Sequence, residues 1–467
     1  MATAALDNIR EIGRWQLPAG WEWRRAREFA KIIGGGTPKN AADRANYADD
    51  GTPWLTPADL SGYSRSTIAR GRRSLSADGL KASSARLLPG GAVLISSRAP
   101  VGYCAVAETA VTTNQGFRSL VCDGTADPFF IRYYVLFSRR YLEESASGTT
   151  FKELSGTALG ELLFPIPPIE VQRRIVASVD ELFSELDDGE EGLRRARAGL
   201  ETYRKSLLKA AVTGELTADW RAANPPKETG ADLLQRILAE RRARWEADPK
   251  NKGKRYKEPA EPEGGLPFEI PTDWACAALG QLGDVVTGGT PPTTRPDFYS
   301  GDVPFFTPGD LEGEEVRGTK RTLTEAGRDS VRGVPAKSVL VTCIGATIGK
   351  LAIAGTAGAT NQQINSVVPA EPALSSWIYA FLSSPFGQHE ILDRSSSTTM
   401  PILNKGDFSR LPIPLPPLRQ IEQSNVALST RIDERRELLE AVGELSAGPA
   451  TLRQSIFAAA FRGELVQ

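Results

Sequence analysis

The sequence predicts an α+β protein made of two copies of one unit, each a mixed α and β domain followed by a long helix. Short strings recur in the same order in both halves of the chain, which indicates a duplication. Apolar residues recur with heptad spacing after each globular stretch, and a Pro-Pro pair precedes each heptad stretch. The Pro-Pro pairs favour extended backbone, so they mark where each domain ends and its helix begins.

The first long helix is predicted from Ile169 to about Ala211, where apolar residues alternate steps of four and three. Such spacing keeps one narrow apolar stripe that must be buried against another helix. The C-terminal run nearly repeats the pattern and is the expected partner, with a local kink near Pro449. The predicted coiled-coil residues are Ile175, Val179, Leu182, Leu186, Leu193, Leu200, Leu207, Leu428, Ile432, Leu439, Val442, Leu452 and Ile456.

The alternative is two ordinary amphipathic helices in one globular core, and the position of each helix at the end of a repeat argues against it. The first helix ends on AAVTGEL at Ala210 and the second on AAFRGEL at Ala459. Other repeated strings, in chain order, are GGGTP at Gly34 with TGGTP at Thr287, PWLTPADL at Pro53 with PFFTPGDL at Pro304, and TTNQ at Thr112 with ATNQ at Ala359.

These strings predict an N-terminal tail (1–17), a first domain (18–168), a first helix (169–212), a linker with a short helix (213–268), a second domain (269–417) and a second helix (418–467). The linker is expected to be an exposed tether because its end is charged and rich in Pro and Gly. Its basic residues could contact phosphate, although solvated linkers are commonly charged without any such role.

Composition excludes several classes of protein. Lys and Arg number 56 against 57 for Asp and Glu, so any DNA-binding surface must be local. The four Cys lack metal-ligand spacing and suit a reducing compartment. The sequence starts without the apolar core of a signal peptide and has no 18-residue apolar run. We therefore expect a cytoplasmic protein with no metal site.

Several strings in the sequence match known catalytic motifs only in part. Asn224-Pro225-Pro226 is followed by Lys227, whereas the adenine methyltransferase signature requires an aromatic residue there. GATIGK at Gly345 has its glycines one residue too close for a phosphate-binding loop. His389 is the single histidine and excludes sites that need two. Catalysis is therefore expected in partner proteins rather than in this chain.

Two variable globular units, each followed by a long helix ending in AA-x-x-GEL, resemble the specificity subunit of type I restriction-modification enzymes. The similarity runs from Leu17 to Leu465 and rests on GGTP, TNQ, PPIEVQRRI and AAVTGELTADWR in this order. One departure is the start of the second helix, PPLRQIEQ, which does not align cleanly with PPIEVQRRI.

The resemblance implies that each globular unit is a target recognition domain that reads one half of a bipartite DNA sequence. It also implies that the two helices pair antiparallel as a spacer, with pseudo-twofold symmetry. In that family two modification subunits carry S-adenosylmethionine and methylate adenine, and restriction subunits recruited through them use ATP and Mg²⁺. This chain would then bind no cofactor itself, and its repeat would offer two equivalent docking surfaces.

Candidate DNA-binding residues fall into two sets. Residues shared by both copies cannot make the domains read different sequences, so they suit structure, partner docking or an adenine contact common to both half-sites. They are Thr37, Pro38, Asn114, Gln115, Thr149 and Thr150, with Thr290, Pro291, Asn361, Gln362, Thr398 and Thr399. Basic residues taken to differ between the copies are better candidates for reading, although many such charges are only solvated. They are Arg65, Arg70, Arg72, Arg73, Arg98 and Lys152, then Arg295, Lys320, Arg321, Lys350 and Lys405.

Two rival functions stay open at this point. A coiled-coil scaffold without DNA contact would have the same helices and repeat, and a DNA shift assay with partner subunits would exclude or support it. A self-sufficient modification enzyme would need a complete methyltransferase or nuclease motif, which the sequence lacks.

Overall fold

The computed structural model describes residues 15–98, 100–148, 152–395 and 400–466. The chain divides into two compact units. The first combines the residues up to Arg194 with those from Gly443 onwards, and the second is Arg195–Val442. The first unit is therefore discontinuous in sequence, whereas the second is continuous.

The first unit contains three small sheets. Their strands are β1 (Glu22–Arg25), β2 (Ala30–Gly34), β3 (Tyr47–Leu55), β4 (Thr67–Ile68), β5 (Arg73–Leu75), β6 (Val93–Ser96), β7 (Cys104–Ala107), β8 (Thr112–Thr113), β9 (Phe117–Cys122) and β10 (Leu163–Ile166). The orders are β2-β9-β6-β7-β4, β5-β3-β8 and β1-β10. Every residue of the central strands β6 and β7 is buried, which explains their continuous apolar sequence.

Helices cover these sheets in the first unit. They are α1 (Ala26–Phe29), α2 (Ala77–Lys81), α3 (Pro128–Phe137), α4 (Arg139–Glu144) and α5 (Gly156–Glu161), with short 3₁₀ helices at Arg44–Asn46 and Pro57–Leu60. The long helix α6 (Ile169–Thr213) starts in this unit, directly after the Pro-Pro pair.

The second unit repeats the topology. Its strands are β11 (Ala275–Ala278), β12 (Gly283–Thr287), β13 (Tyr299–Phe306), β14 (Glu315–Val316), β15 (Thr322–Leu323), β16 (Gly333–Val334), β17 (Val339–Thr342), β18 (Leu351–Ala354), β19 (Gly358–Thr360), β20 (Ile364–Pro369) and β21 (Pro412–Leu415). The orders β12-β20-β17-β18-β14, β15-β13-β19-β16 and β11-β21 match those of the first unit, with β16 added at one edge. The predicted α+β class with a duplicated domain is thus confirmed.

The remaining helices follow the chain order. They are α7 (Ala218–Ala223), α8 (Gly230–Ala247), α9 (Leu279–Leu282), α10 (Glu325–Asp329), α11 (Leu374–Ser383), α12 (Pro385–Asp393), α13 (Lys405–Ser409), α14 (Leu418–Ser446) and α15 (Pro449–Arg462), with 3₁₀ helices at Glu215–Thr217, Pro249–Asn251 and Pro296–Phe298.

The region 213–268 differs from the exposed tether that the sequence predicts. Helix α8 buries Leu233 and Ile237 in the main core of the second unit. A Cβ on Gly230, at the start of α8, would lie 2.0 Å from the carbonyl oxygen of Leu415, so the helix begins against strand β21. The apolar side of α8 is therefore a core face, and the exposed, charged stretch that follows it retains the character of a linker.

The long helices pair antiparallel within each unit. In the second unit Arg435 of α14 ion-pairs with Glu201 of α6, and Ser424 lies 3.4 Å from Thr217, oxygen to oxygen. In the first unit the ring of Phe457 in α15 lies 5.0 Å from that of Phe183 in α6. Arg453, one turn earlier in α15, ion-pairs at 3.2 Å with Glu190, which lies further along α6. In both units the residue numbers of the two helices run in opposite directions, which confirms the predicted antiparallel pairing.

The apolar stripe is only partly as predicted. Ile175, Val179, Leu207, Leu428 and Ile456 are buried, and most of the other predicted members are partly buried. Leu452 is an error, because half of its side chain is exposed.

The cause is a break in the helix where the sequence predicted a kink. Helix α14 ends at Ser446, and α15 starts anew at Pro449, where a missing backbone N–H costs nothing. The break resets the phase of the stripe. Ile456, Phe457, Ala460 and Phe461 then form the buried face of α15.

Replacing Ile456 by Ala should lower the free energy of unfolding by about 2–5 kcal/mol, because it empties a filled position in the core of the first unit. Leu452→Ala is the matched control on the same helix and should change it by less than about 0.5 kcal/mol. Urea unfolding followed by circular dichroism measures both. Equal losses for the two variants would contradict the phase of α15.

Candidate nucleic-acid interface

A carboxylate holds the turn that follows strand β3 in the first unit. Asp59 accepts hydrogen bonds from the Thr56 amide at 2.8 Å and from the Thr56 hydroxyl at 2.7 Å. The same carboxylate accepts from the backbone amide of Arg72 at 3.0 Å. This single side chain therefore fixes the start of the turn and the position of the basic segment that leads into β5.

The second unit contains the same arrangement after strand β13. Asp310 accepts from the Thr307 amide at 2.9 Å and from the Thr307 hydroxyl at 2.6 Å. It also accepts from the backbone amide of Lys320 at 3.0 Å. Burial alone would raise the pKa of Asp310, but these hydrogen bonds outweigh it and lower the pKa below its usual range.

An arginine on a tyrosine ring follows each of these turns. The guanidinium of Arg73 lies 5.2 Å from the ring centre of Tyr47, and that of Arg321 lies 5.1 Å from the ring centre of Tyr299. In each unit a leucine stands two residues after the arginine and pairs with the tyrosine in the strand register, Leu75 with Tyr47 and Leu323 with Tyr299. The Tyr ring orients a cation that is otherwise exposed to solvent.

We call these residues the basic turn: Asp59, Arg72, Arg73 and Tyr47 in the first unit, with Asp310, Lys320, Arg321 and Tyr299 in the second. The sequence analysis grouped the four cations with residues that differ between the copies, and the strand register corrects this. Loops of unequal length separate the repeated strings, which hid the correspondence in the sequence.

The basic turn of the first unit borders a groove of about 470 Å³ lined by Arg44, Tyr47, Arg72 and Arg73 among others. Arg44 was not among the residues that the sequence suggested. Arg70 is used within the chain, because its Nη2 donates to the Asp49 carbonyl at 2.6 Å and to the Ser74 hydroxyl at 3.1 Å.

In the second unit Arg295 is already paired. It makes two hydrogen bonds to Asp297, at 2.8 and 2.6 Å, and lies 4.3 Å from the ring centre of Phe298. The bonds from Arg295 lower the pKa of the Asp297 carboxyl. Lys320 and Arg321 are the exposed cations of this basic turn.

The shared GGTP and TNQ strings contact each other in both units. The hydroxyl of Thr37 donates to the side-chain oxygen of Gln115, and that of Thr290 donates to Gln362 at 2.6 Å. A Cβ on Gly35 would lie 1.9 Å from the Asn114 carbonyl oxygen, so only glycine allows this approach.

The two asparagines of the TNQ strings fold their own loops. Asn114 Oδ1 accepts from the Gly116 amide at 2.9 Å, and Asn361 Oδ1 accepts from the Gln363 amide at 3.1 Å. These contacts supply a structural reason for the repetition of the strings. The side chains of Gln115 and Gln362 remain exposed.

Beside each TNQ loop lies a surface whose chemistry differs between the units. The amide of Leu154 donates to the Ser97 carbonyl at 2.8 Å, and the amide of Leu403 donates to the Cys343 carbonyl at 2.8 Å, so these segments correspond. We call this surface the divergent patch. It comprises Arg98, Arg118, Lys152 and Glu153 in the first unit and Ile344, Pro401 and Ile402 in the second, where the counterpart of Arg118 is the buried Asn365.

The first divergent patch is a charged network. Glu153 lies 3.0 Å from Arg118 and 4.0 Å from Arg98, and Lys152 is exposed beside it. The second is largely apolar, with 40% of Ile402 exposed next to a 60% exposed Met400. Arg118 was missed by the sequence analysis. The contrast of FRSL with INSV after the TNQ strings was the available signal.

The other candidates lie apart from these clusters. Arg65 is exposed and accepts through its carbonyl from Arg132, Lys350 is partly buried after the loop at Gly345, and Lys405 is exposed at the start of α13. The four threonines Thr149, Thr150, Thr398 and Thr399 lie outside the described residues.

The described residues contain neither a candidate metal site nor a helix able to span a membrane. Within 15–98, 100–148, 152–395 and 400–466, no group of three His, Cys, Asp or Glu side chains is placed to hold a metal ion. In the same ranges no helix has the length and apolar character needed to cross a membrane.

The duplicated α+β domain, with a long helix after each copy, places this protein in a class of two-domain proteins with paired long helices. A family model described as the type I restriction modification DNA specificity domain matches residues 18–194 and 271–443. These ranges cover most of the chain, which therefore belongs to that family.

Individual relatives agree with this family. The chain is 33% identical over 206 residues to the type I restriction enzyme MjaIX specificity subunit of Methanocaldococcus jannaschii, covering 43% of this chain and 46% of the relative. It is 29% identical over 301 residues to the HindI specificity subunit of Haemophilus influenzae, covering 59% and 64%. The matched part is thus less than two thirds of either relative.

A solved structure supports the fold. The HsdS subunit from Thermoanaerobacter tengcongensis matches with a TM-score of 0.60 at 19% identity, over 97% of this chain and 100% of that one. At this identity the likeness concerns the fold alone.

The basic turn gives a prediction about pH. The folded pKa of Asp310 lies below its ordinary value of 3.8, so its contribution to stability is present above that value and is lost as the pH falls through the folded pKa. The stability difference between the wild type and Asp310→Asn should therefore be largest near neutral pH and shrink below about pH 4. Urea unfolding at pH 7, 5 and 3 measures it. Asp302→Asn, an exposed control, should show a small difference at each pH, and a constant difference for Asp310→Asn would contradict the argument.

Proposed function

We propose that this chain is the DNA-recognition subunit of a type I restriction-modification complex. Each unit reads one half of a bipartite target, and the paired long helices set the number of base pairs between the halves. The chain carries no catalytic residue. It docks two modification subunits that hold S-adenosylmethionine and methylate adenine, and through them restriction subunits that use ATP and Mg²⁺, in the cytoplasm.

The observation that carries the proposal is the contrast between the basic turns and the divergent patches. Two copies of a domain that read different sequences need an identical way to hold the phosphate backbone and a different way to read bases. The basic turns are matched residue by residue between the units, whereas the divergent patches change from charged to apolar. A scaffold that only joins proteins has no need of this combination.

The basic turn suits phosphate. Arg72 and Arg73 present exposed cations on a segment fixed by Asp59, and the ring of Tyr47 limits the movement of the Arg73 guanidinium. A cation held in place before binding loses less conformational entropy when it meets a phosphate. Contacts of this kind position a protein on the duplex without selecting a sequence.

The divergent patch suits base reading. In the first unit Arg98 and Arg118 can pair with guanine and Glu153 can accept from cytosine, so that half-site should depend on G·C pairs. In the second unit Ile402 offers an apolar contact of the kind that recognises the thymine methyl group. The two half-sites are therefore proposed to differ in composition.

Other features agree with the proposal. A net charge of −1 gives the chain no general attraction to nucleic acid, so local basic surfaces must supply the affinity. The duplicated fold presents equivalent surfaces, which supports the docking of one partner twice.

Replacing Arg73 or Arg321 by Ala should weaken binding to target and non-target DNA alike, because phosphate contacts carry no sequence information. Each variant should also make the slope of log K against log salt concentration, where K is the DNA-binding constant, less negative by about one. Fluorescence anisotropy over a salt series, with the modification subunits present, measures both quantities. Arg140→Ala, which removes an exposed arginine paired with Glu144, is the control. A loss confined to target DNA would instead make these arginines base readers.

Exchanging residues 18–168 for the same segment of a relative should change one half of the recognised sequence and leave the other half intact. The reason is that the basic turn and divergent patch of the first unit both lie in this segment. Mapping methylated adenines across the genome of cells that carry the chimera and its modification subunit gives the result. A change in both halves would refute the independence of the two units.

A further inference from the structure

A large cleft in the first unit is not used by the proposed function. It has a volume of about 1570 Å³ and lies between the loop 60–66, helix α3 and the paired segments of α6 and α15. Its walls combine charged side chains with aromatic rings, among them Tyr63, Tyr103, Tyr133, Phe183 and Phe457. The volume exceeds that of an ordinary small-molecule site, so the cleft can admit a ligand together with water.

Arg132 is the unusual residue of this cleft. It is only 7% exposed, and its Nε is buried without a hydrogen-bond partner. Its Nη2 reaches the Arg65 carbonyl at 3.5 Å, at the limit of a hydrogen bond. Asp180 also lines the cleft, but its carboxylate accepts from the Tyr133 hydroxyl. Over the described ranges of the chain, no carboxylate lies within ion-pair distance of Arg132.

The other arginines of the cleft are all paired. Arg139 lies 3.1 Å from Glu143, Arg140 lies 2.8 Å from Glu144, and Arg453 lies 3.2 Å from Glu190. A buried guanidinium without a counter-anion is costly, and the Tyr133 ring, 5.3 Å from the Arg132 guanidinium, and the Arg65 carbonyl offset only part of that cost. Arg132 therefore offers a favourable place for an anion from outside the chain.

The second unit has a carboxylate beside the place that corresponds to this cleft. Glu314 of the second unit corresponds to Ser66 of the first. The Ser66 carbonyl accepts from the Val106 amide at 2.9 Å, and the Glu314 carbonyl accepts from the Ile353 amide of the matching strand at 2.7 Å. The first unit therefore has an uncharged side chain where the second has a carboxylate. Glu314 interacts electrostatically with Arg204.

The residue that corresponds to Arg132 is neutral in the second unit. Phe130 meets Trp21 edge to face in the first unit, and Trp377 meets Trp274 in the same way in the second, so Phe130 corresponds to Trp377. Two residues further along each helix, Arg132 therefore corresponds to Tyr379. Tyr379 interacts with Arg204 and Glu314. The second unit thus has a neutral residue where the first unit has the buried guanidinium of Arg132, and its carboxylate faces Arg204 instead.

We propose that the cleft of the first unit binds a small organic anion, a planar ring that bears one carboxylate or phosphate group. The oxyanion lies on Arg132. The ring of the ligand packs beside Tyr103 and Phe183. The Arg139 guanidinium lies 5.2 Å from the ring centre of Tyr103, and the Arg453 guanidinium lies 5.2 Å from that of Phe183.

The surroundings favour a small ligand over a nucleic acid. Asp187, Asp188 and Glu190 line the same cleft and would repel an extended polyanion. A partner that docks twice would need the same surface in both units, and the Arg132 site has no counterpart in the second. The proposal is therefore independent of DNA recognition and of the docking of modification subunits.

The test is isothermal titration calorimetry of the full chain with phenyl phosphate, benzoate and inorganic phosphate. Phenyl phosphate or benzoate should bind at one site, and Arg132→Gln should weaken that binding about 10- to 100-fold, the range expected for loss of a charged hydrogen-bond donor. Arg140→Gln, which changes a paired arginine of the same cleft, should change the affinity less than about twofold. Tighter binding of one probe identifies the preferred oxyanion, phosphate ester or carboxylate.

A second variant protects the test against misfolding of the first. Ser66→Glu places a carboxylate at the position of Glu314, so it should abolish binding while the melting temperature stays equal or rises. No saturable binding of either ring-bearing probe at millimolar concentration would overturn the proposal, as would unchanged binding by Arg132→Gln. Equal affinity for inorganic phosphate and phenyl phosphate would overturn the role of the aromatic walls.

Discussion

The packing of helix α15 into the first unit is the contact on which that unit depends. Phe461 meets Phe130, Tyr134 and Phe137 with ring centres 5.4, 5.1 and 5.3 Å apart, and it is almost fully buried. Such aromatic clusters combine a large buried apolar area with favourable ring geometry. Helix α3 packs on the central sheet with one side and on α15 with the other. The residues of α15 lie more than 300 positions later in the sequence. Without α15 the aromatic face of α3 would be open to water.

The second unit covers its corresponding helix with residues from its own continuous segment of the chain. There α6 supplies Leu207, Leu208 and Ala211, which cluster with Ala380 of α11 and Leu428 of α14. A phenylalanine-rich contact in one unit is thus replaced by smaller aliphatic side chains in the other. The pairing of the two helices is common to both units, while the side chains that join helices to domain have diverged. The two units also differ at the position of Arg132, where the second unit has Tyr379.

Sequence reasoning predicted the duplication, the fold class and the long helices, because repeated strings and heptad spacing are local signals. It placed Leu452 in the buried stripe, since spacing alone does not show that the helix breaks before Pro449. It treated α8 as part of a tether, because nothing local shows that Leu233 has a core to enter. The correspondence of Arg73 with Arg321 needed the strand register, and the role of Asp59 needed coordinates, although the repeated PADL and PGDL strings carried a signal that was not used.

The discontinuity of the first unit also bears on how the chain is made. All residues of the second unit, Arg195–Val442, leave the ribosome before the segment from Gly443 onwards that completes the first. Domains generally fold as units during synthesis, the N-terminal one first. Here the first unit cannot be completed before the second has been made, because the aromatic face of α3 stays uncovered until α15 has been translated. While the second unit is being made, the first unit therefore exposes the aromatic face of α3 to solvent. This is the surface that a chaperone would have to shield during synthesis.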